Sequence, residues 1–195
     1  MTEKELRLLT TEYEIRESTD EPDTIVGYAL KFNRWSDVLG GMFKEIIAPD
    51  ALRGTDMSDV VALFNHDDNK ILGRNGKNLT LEVDDIGLKF RITPTNTSYT
   101  RDLIENLRAG IIDKCSFAMS DVESEWEDVG DDKPLERTIT SIGKLWDVSV
   151  VTTPAYSDTE AVVGARSKEK AEALLDRQKR KRELYKLLEK ENENE

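Results

Sequence analysis

Through its first 150 or so residues the chain is broken into short runs that suit β-strands, and only one run there has helical spacing. Residues 6–16 set Leu8, Tyr13 and Ile15 among polar neighbours, the pattern of a half-buried strand. Residues 24–35, TIVGYALKFNRW, are β-branched and aromatic, and Gly27 inside them predicts a bulge or a close backbone approach. Residues 42–47 form another short strand, after which Pro49 can open a single helical turn. Residues 60–64, VVALF, are a continuous apolar run and read as a buried strand. LTLEV at 79–83 and GLKFRI at 87–92, separated by Asp84-Asp85-Ile86, predict a hairpin. The helix falls at 98–108, where Leu103, Ile104 and Leu107 have helical spacing and Gly110 marks the stop. Strand character returns at 113–120, 123–129 and 138–152, with an acidic loop at 128–133 and Pro154 as terminator.

After Arg166 the composition changes. Residues 167–195 contain no Gly or Pro, and Ala171, Leu174, Leu175, Leu184, Leu187 and Leu188 give a partial apolar stripe. This predicts a charged helix, in two pieces if it breaks around the basic run 178–182. Many short strands with one internal helix indicate an antiparallel β-rich body, a barrel or a compact sandwich, carrying a helical tail. The division expected is a body over residues 1–165 and a tail over 166–195.

The formal net charge of −12 lies in the body, since the tail is slightly basic. An acidic body argues against broad nucleic-acid binding, which needs clustered cations. The single cysteine, Cys115, excludes an intrachain disulfide and a cysteine-clustered metal site, and suits a reducing setting. The single histidine, His66, removes two- and three-histidine metal sites. No run approaches the ~20 apolar residues of a membrane span, and the first residues lack an apolar core of signal-peptide length, so a soluble protein is expected.

Three residue types then bear on chemistry. His66 follows the apolar run 60–64, where a buried strand gives way to a polar loop, and histidine is the usual general base near neutral pH. Cys115 and Ser116 are adjacent in a strand, so they take opposite faces. Cys115 shares its face with Phe117 and Met119 and reads as a small core residue; Ser116 shares a small polar face with Ala118 and Ser120 and is the exposed nucleophile candidate. Asp147 interrupts a strand otherwise full of core residues, a position that is costly for a carboxylate unless it is paired. Bonded to a histidine ring, it would fix the tautomer. Each of the three also has an ordinary surface or structural reading, and spacing alone does not join them, because such sets assemble in space.

The ordered segments resemble the prohead maturation proteases of tailed phages, of the Hong Kong 97 type. They are Gly27-Tyr28-Ala29, residues 43–52, Asn65-His66-Asp67, Ile71-Leu72-Gly73-Arg74, Gly87-Leu88-Lys89-Phe90, Ser116-Phe117 and residues 145–156. The resemblance covers roughly residues 10–165. It implies an α+β, mainly β fold like that of the herpesvirus assembly proteases, an antiparallel β-barrel flanked by helices. It implies a serine endopeptidase that cuts scaffold segments from capsid precursors, and itself, inside the assembling prohead in the host cytoplasm.

By that resemblance Ser116 is the nucleophile, His66 the general base and Asp147 the acidic third member. Arg137, on the strand leading to Asp147, is a candidate for the oxyanion site or a surface partner for local carboxylates. Two departures stand out. Ala118 occupies a place where relatives often have Gly, and Asp147 one where Glu is commoner. No metal or cofactor is required. The expected partners are the capsid precursor or its scaffold segment, and further copies of the chain, with no nucleic acid or membrane. Two competing readings are a non-catalytic assembly module on a degenerate protease fold and a hydrolase using Cys115.

Overall fold

A computed structural model describes residues 4–10, 13–16, 23–130, 133–152 and 165–192. Pro154, the segment 153–156, part of the acidic loop 128–133 and the two chain ends lie outside the described residues. The elements in chain order are β1 (Glu5–Thr10), β2 (Tyr13–Arg16), β3 (Thr24–Lys31), β4 (Phe43–Ile47), β5 (Val61–Phe64), β6 (Asp67–Arg74), β7 (Leu79–Val83), β8 (Gly87–Ile92), α1 (Ser98–Arg108), β9 (Lys114–Glu127), β10 (Leu135–Val151) and α2 (Ala165–Asn192). The protein is mainly β with helices added.

The strands form two sheets. One runs β1-β9-β10-β5-β6, with β4 also on β10; the other runs β2-β3-β8-β7. The run 6–16, expected as one strand, is two, and they belong to different sheets. The runs 113–120 and 123–129 are instead a single strand, β9, which continues through Asp121 in a left-handed conformation at φ 57°. Both pairing paths have free ends, so the described residues form no closed barrel. Nor is the pairing wholly antiparallel. β4 and β5 both lie parallel to β10, at its first and last thirds. Parallel pairing requires a long connection between partners, and residues 48–134 and 65–134 supply it for β4 and β5.

The two sheets and α1 share one hydrophobic core. Ile25, Leu30, Leu88, Phe90 and Ile92 from the smaller sheet meet Phe117, Met119, Leu145, Val148 and Val150 from the larger, and α1 adds Leu103 and Leu107. α1 begins where Thr97 caps it, its side chain accepting the Thr100 N–H, and ends before Gly110 at φ 67°. The register shift in β3 lies between Tyr28 and Leu30, just beyond Gly27. After Pro49 the chain makes successive turns rather than a helix.

A smaller cluster docks α2. Ala171 is buried against Phe43 and Leu135, with Leu174, Leu175 and Trp126 around it. Ser167 and Gln178 are buried on the same helix face, and Gln178 donates to Asp128. α2 is one helix across the basic run 178–182, and beyond that run Leu184 and Tyr185 are exposed. The tail helix is thus held to the body by its first half. Among the described residues no helix is long and apolar enough to cross a membrane.

Candidate active site

His66 owes its position to a two-residue hairpin. Phe64 pairs with Asp67, leaving Asn65 and His66 as the turn, both with positive φ (57° and 55°). That is the conformation whose twist matches the flanking strands, and Asn and His tolerate it better than most residues. Asn65 fastens the turn to the end of β10. Its N–H donates to the Val150 carbonyl at 2.9 Å, and its side-chain oxygen accepts the Thr152 N–H at 2.9 Å. The imidazole is thereby held over the last turn-side residues of β10. The loop expected after His66 is in fact a strand, β6.

Asp147 reaches the same place through a bulge. In β10, Leu145 pairs with Met119 and Asp147 with Ala118, so one residue, Trp146, is extra. A bulge reverses the alternation of faces. Leu145 and Val148 therefore both enter the core, while Asp147 and Ser149 point to the other side with Ala118 and Ser116. The Trp146 indole N–H donates to Ser120 at 2.9 Å, which fixes the extra residue.

These elements bring three of the expected residues together. His66 Nδ1 lies 2.7 Å from Asp147 Oδ1, and His66 Nε2 lies 2.6 Å from Ser116 Oγ. With Nδ1–H donating to the carboxylate, the Nε2 lone pair faces the serine hydroxyl. A fourth residue belongs to the group. Ser149 Oγ donates to the same Asp147 oxygen at 2.8 Å and lies 3.2 Å from His66 Nδ1. Ser149 is directly opposite Ser116 in the ladder. Its signal in the sequence was its place two residues after Asp147, on the same strand face, but only with the bulge known does that face become the polar one.

Ser116 differs from expectation in exposure. It is 4% accessible, on a strand flanked by β1 on one side and β10 on the other. Its hydroxyl also lies 2.8 Å from the Arg7 carbonyl oxygen, a second acceptor that competes with His66 for its one proton. Cys115, on the opposite face, is fully buried, and burial pushes its thiol up to about 12.

Arg137 is not brought to this group. It pairs with Trp126 on β9, whereas Ser149 pairs with Ser116. Along the ladder the two positions are well separated, and Arg7 bridges them, its carbonyl on Ser116 and its side chain in the charge cluster that holds Arg137. Its guanidinium bonds Glu5 at 3.0 Å, Glu45 at 3.1 Å and Ser124 at 3.1 Å. A buried charge needs partners, and those partners, not an oxyanion, explain its position. Among the described residues no cluster of three or more His, Cys, Asp or Glu could hold a metal ion.

Residues 11–174 match the family described as caudovirus prohead serine protease. The chain belongs to that family. The match spans all three residues of the hydrogen-bonded relay and stops within α2. Among solved structures, this family member is similar to the capsid assembly protease of bacteriophage T4, at 13% identity and a TM-score of 0.49, covering 77% of this chain and 99% of that one. No curated protein sequence matches it.

Proposed function

We propose that the protein is a serine endopeptidase in which Ser116 is the nucleophile, His66 the general base and Asp147 the group that orients it. Its substrate is the scaffold segment of the capsid precursor, which it cuts within the assembling prohead in the host cytoplasm, along with copies of itself. Residues 1–165 act as the protease domain and 166–195 as its tail. The observation that carries this reading is the relay from Asp147 through His66 to Ser116, at 2.7 Å and 2.6 Å. Those separations are within reach for proton transfer.

In the reaction, Nε2 of His66 takes the Ser116 proton as Oγ attacks the scissile carbonyl carbon. The resulting imidazolium is stabilised by Asp147. The C–N bond of the tetrahedral intermediate then breaks as His66 gives the proton to the departing amine. Water, deprotonated by His66, releases the acyl chain. No metal or organic cofactor has a part in these steps.

The reading based on Cys115 is disfavoured by its sealed position and its raised thiol value, and by the distance of its face from His66. The test is co-expression with the capsid precursor, following both chains by mass. Ser116→Ala should abolish processing, a loss of about 10⁶-fold for an acyl-transfer nucleophile. Cys115→Ala should leave it standing. Processing that survives Ser116→Ala would defeat the assignment.

A further inference from the structure

If Ser116 is the nucleophile, a substrate must bring a peptide carbonyl to its hydroxyl. In this structure a peptide carbonyl is already there, and it is the chain's own. β1 pairs with β9 antiparallel from Glu5 opposite Met119 to Thr10 opposite Lys114, with Leu8 opposite Ser116. The Arg7 carbonyl oxygen accepts the Ser116 hydroxyl at 2.8 Å. β1 is the terminal strand of its sheet, so it occupies the edge of β9 that an extended peptide would use. Addition of a strand to a free sheet edge is a general way for proteins to hold peptides, since the backbone supplies the bonds whatever the sequence.

The contact is non-productive. A hydroxyl has one proton. Donated to the Arg7 oxygen, that proton is not presented to His66, and the serine oxygen faces the carbonyl oxygen rather than the carbon. The strand is also anchored. Arg7 is buried and bonds both carboxylates, Glu5 and Glu45, while Arg137 bonds the same two at 3.0 and 3.1 Å. Ser167, in the first turn of α2, donates to Glu5 at 3.0 Å. Two arginines and two glutamates from β1, β4 and β10 therefore close one buried cluster, and α2 is tied into it. The strand cannot leave unless this cluster opens.

We propose that β1 is a built-in strap on the peptide-binding edge of β9, and that its release, controlled by the charge cluster it shares with α2, converts a latent protein into an active one. The inference rests on the serine-protease reading above. It identifies the substrate as an extended polypeptide that pairs with β9 in place of β1. It also makes α2 the natural point of control, because pulling Ser167 away loosens Glu5.

The test uses the full chain and a fluorophosphonate probe, whose phosphorus is attacked by the serine oxygen as fluoride leaves. Labelling at Ser116 is followed by intact mass. Glu5→Gln keeps the shape of the side chain but removes its charge, and should raise the labelling rate about tenfold, the factor one weakened charge-assisted hydrogen bond makes in an equilibrium. A second variant works in the opposite direction. Leu6 and Ala118 are directly opposite, and Leu6→Cys with Ala118→Cys should form a disulfide that pins the strap. Oxidation should slow labelling at least tenfold, and dithiothreitol should restore it. Equal labelling of wild type, Glu5→Gln and the oxidised and reduced double variant would overturn the strap and leave Ser116 as nucleophile. Labelling that is absent throughout, or that persists after Ser116→Ala, would overturn the serine reading, and the strap with it.

Discussion

The larger sheet holds two polar clusters that differ in nearly every property. One, Ser116-His66-Asp147-Ser149, sits at the β5–β6 turn, has one carboxylate and leaves His66 partly open to solvent. The other, Glu5-Arg7-Glu45-Arg137, joins β1, β4 and β10, balances two positive against two negative charges and is buried. In the first, hydrogen bonds form a line that ends at a reactive oxygen. In the second they form a closed ring in which each charge is matched. A line can pass a proton; a ring can only hold. β1 belongs to both, its Arg7 side chain in the ring and its Arg7 carbonyl on the reactive oxygen.

The largest contrast comes from removing one member of each cluster. His66→Ala should lower cleavage by about 10⁵–10⁶-fold, because nucleophile and base act as a unit, while the melting temperature stays nearly unchanged. Arg137→Met should do the reverse. It leaves Glu5 and Glu45 with one cation between them in a buried place, a loss of about 3–5 kcal/mol. For a chain of this size that is a fall of about 2–4 °C for each kcal/mol. At a temperature where the variant is folded, its cleavage should not fall. If folded Arg137→Met is inactive, the division between the clusters is false, and Arg137 regains a part in the chemistry.

The sequence made the two clusters unequally legible. His66 and Asp147 were visible because each is an expensive residue beside an apolar run, and Ser116 because alternation separates it from Cys115. α1 was legible to its ends, since its apolar spacing and Gly110 agree, and the structure adds the Thr97 cap. The ring was not legible. Its members come from three strands far apart in the chain, and each alone looks like an ordinary surface charge. Arg137 could therefore be read either as an oxyanion candidate or as a surface partner of local carboxylates, and its buried partners could not be named. β6 was missed because an edge strand is polar, and residues 67–74 carry Asp67, Asp68 and Lys70. The division of residues 6–16 between two sheets, and the parallel pairing of β4 and β5, depend on contacts across the whole fold that local periodicity does not encode. The docking face of α2 was only partly legible. Ser167 and Gln178 dilute its apolar stripe, although both are buried on the docking side.

A finer cut asks whether Ser149 belongs to the reactive line or merely fills space beside it. Its hydroxyl shares an Asp147 oxygen with His66, so it should hold the carboxylate in register without touching substrate. Ser149→Ala should lower kcat about tenfold, the worth of one hydrogen bond to a charged group, with KM unchanged. Ser149→Thr keeps the hydroxyl and should recover most of the loss. A change confined to KM, or to melting temperature, would remove Ser149 from the line.

The smallest expected effect concerns acid, and it probes the ring. Burial alone would raise the Glu5 pKa, but Arg7, Arg137 and the bond from Ser167 outweigh it and hold the carboxyl below its ordinary value of 4.5. A carboxyl depressed in the folded state adds stability that is complete above its ordinary value and is lost as pH falls through the folded one. Between pH 6 and 8, Glu5 should therefore contribute no slope to stability. Below pH 4.5 wild type should lose stability faster than Glu5→Gln, which lacks the titrating group, and their melting curves should converge. The same titration should loosen β1, so brief acid exposure should speed fluorophosphonate labelling of wild type more than of Glu5→Gln. If acid weakens both proteins alike, the ring does not depend on the Glu5 charge, and the hold on β1 must come from its backbone pairing with β9 alone.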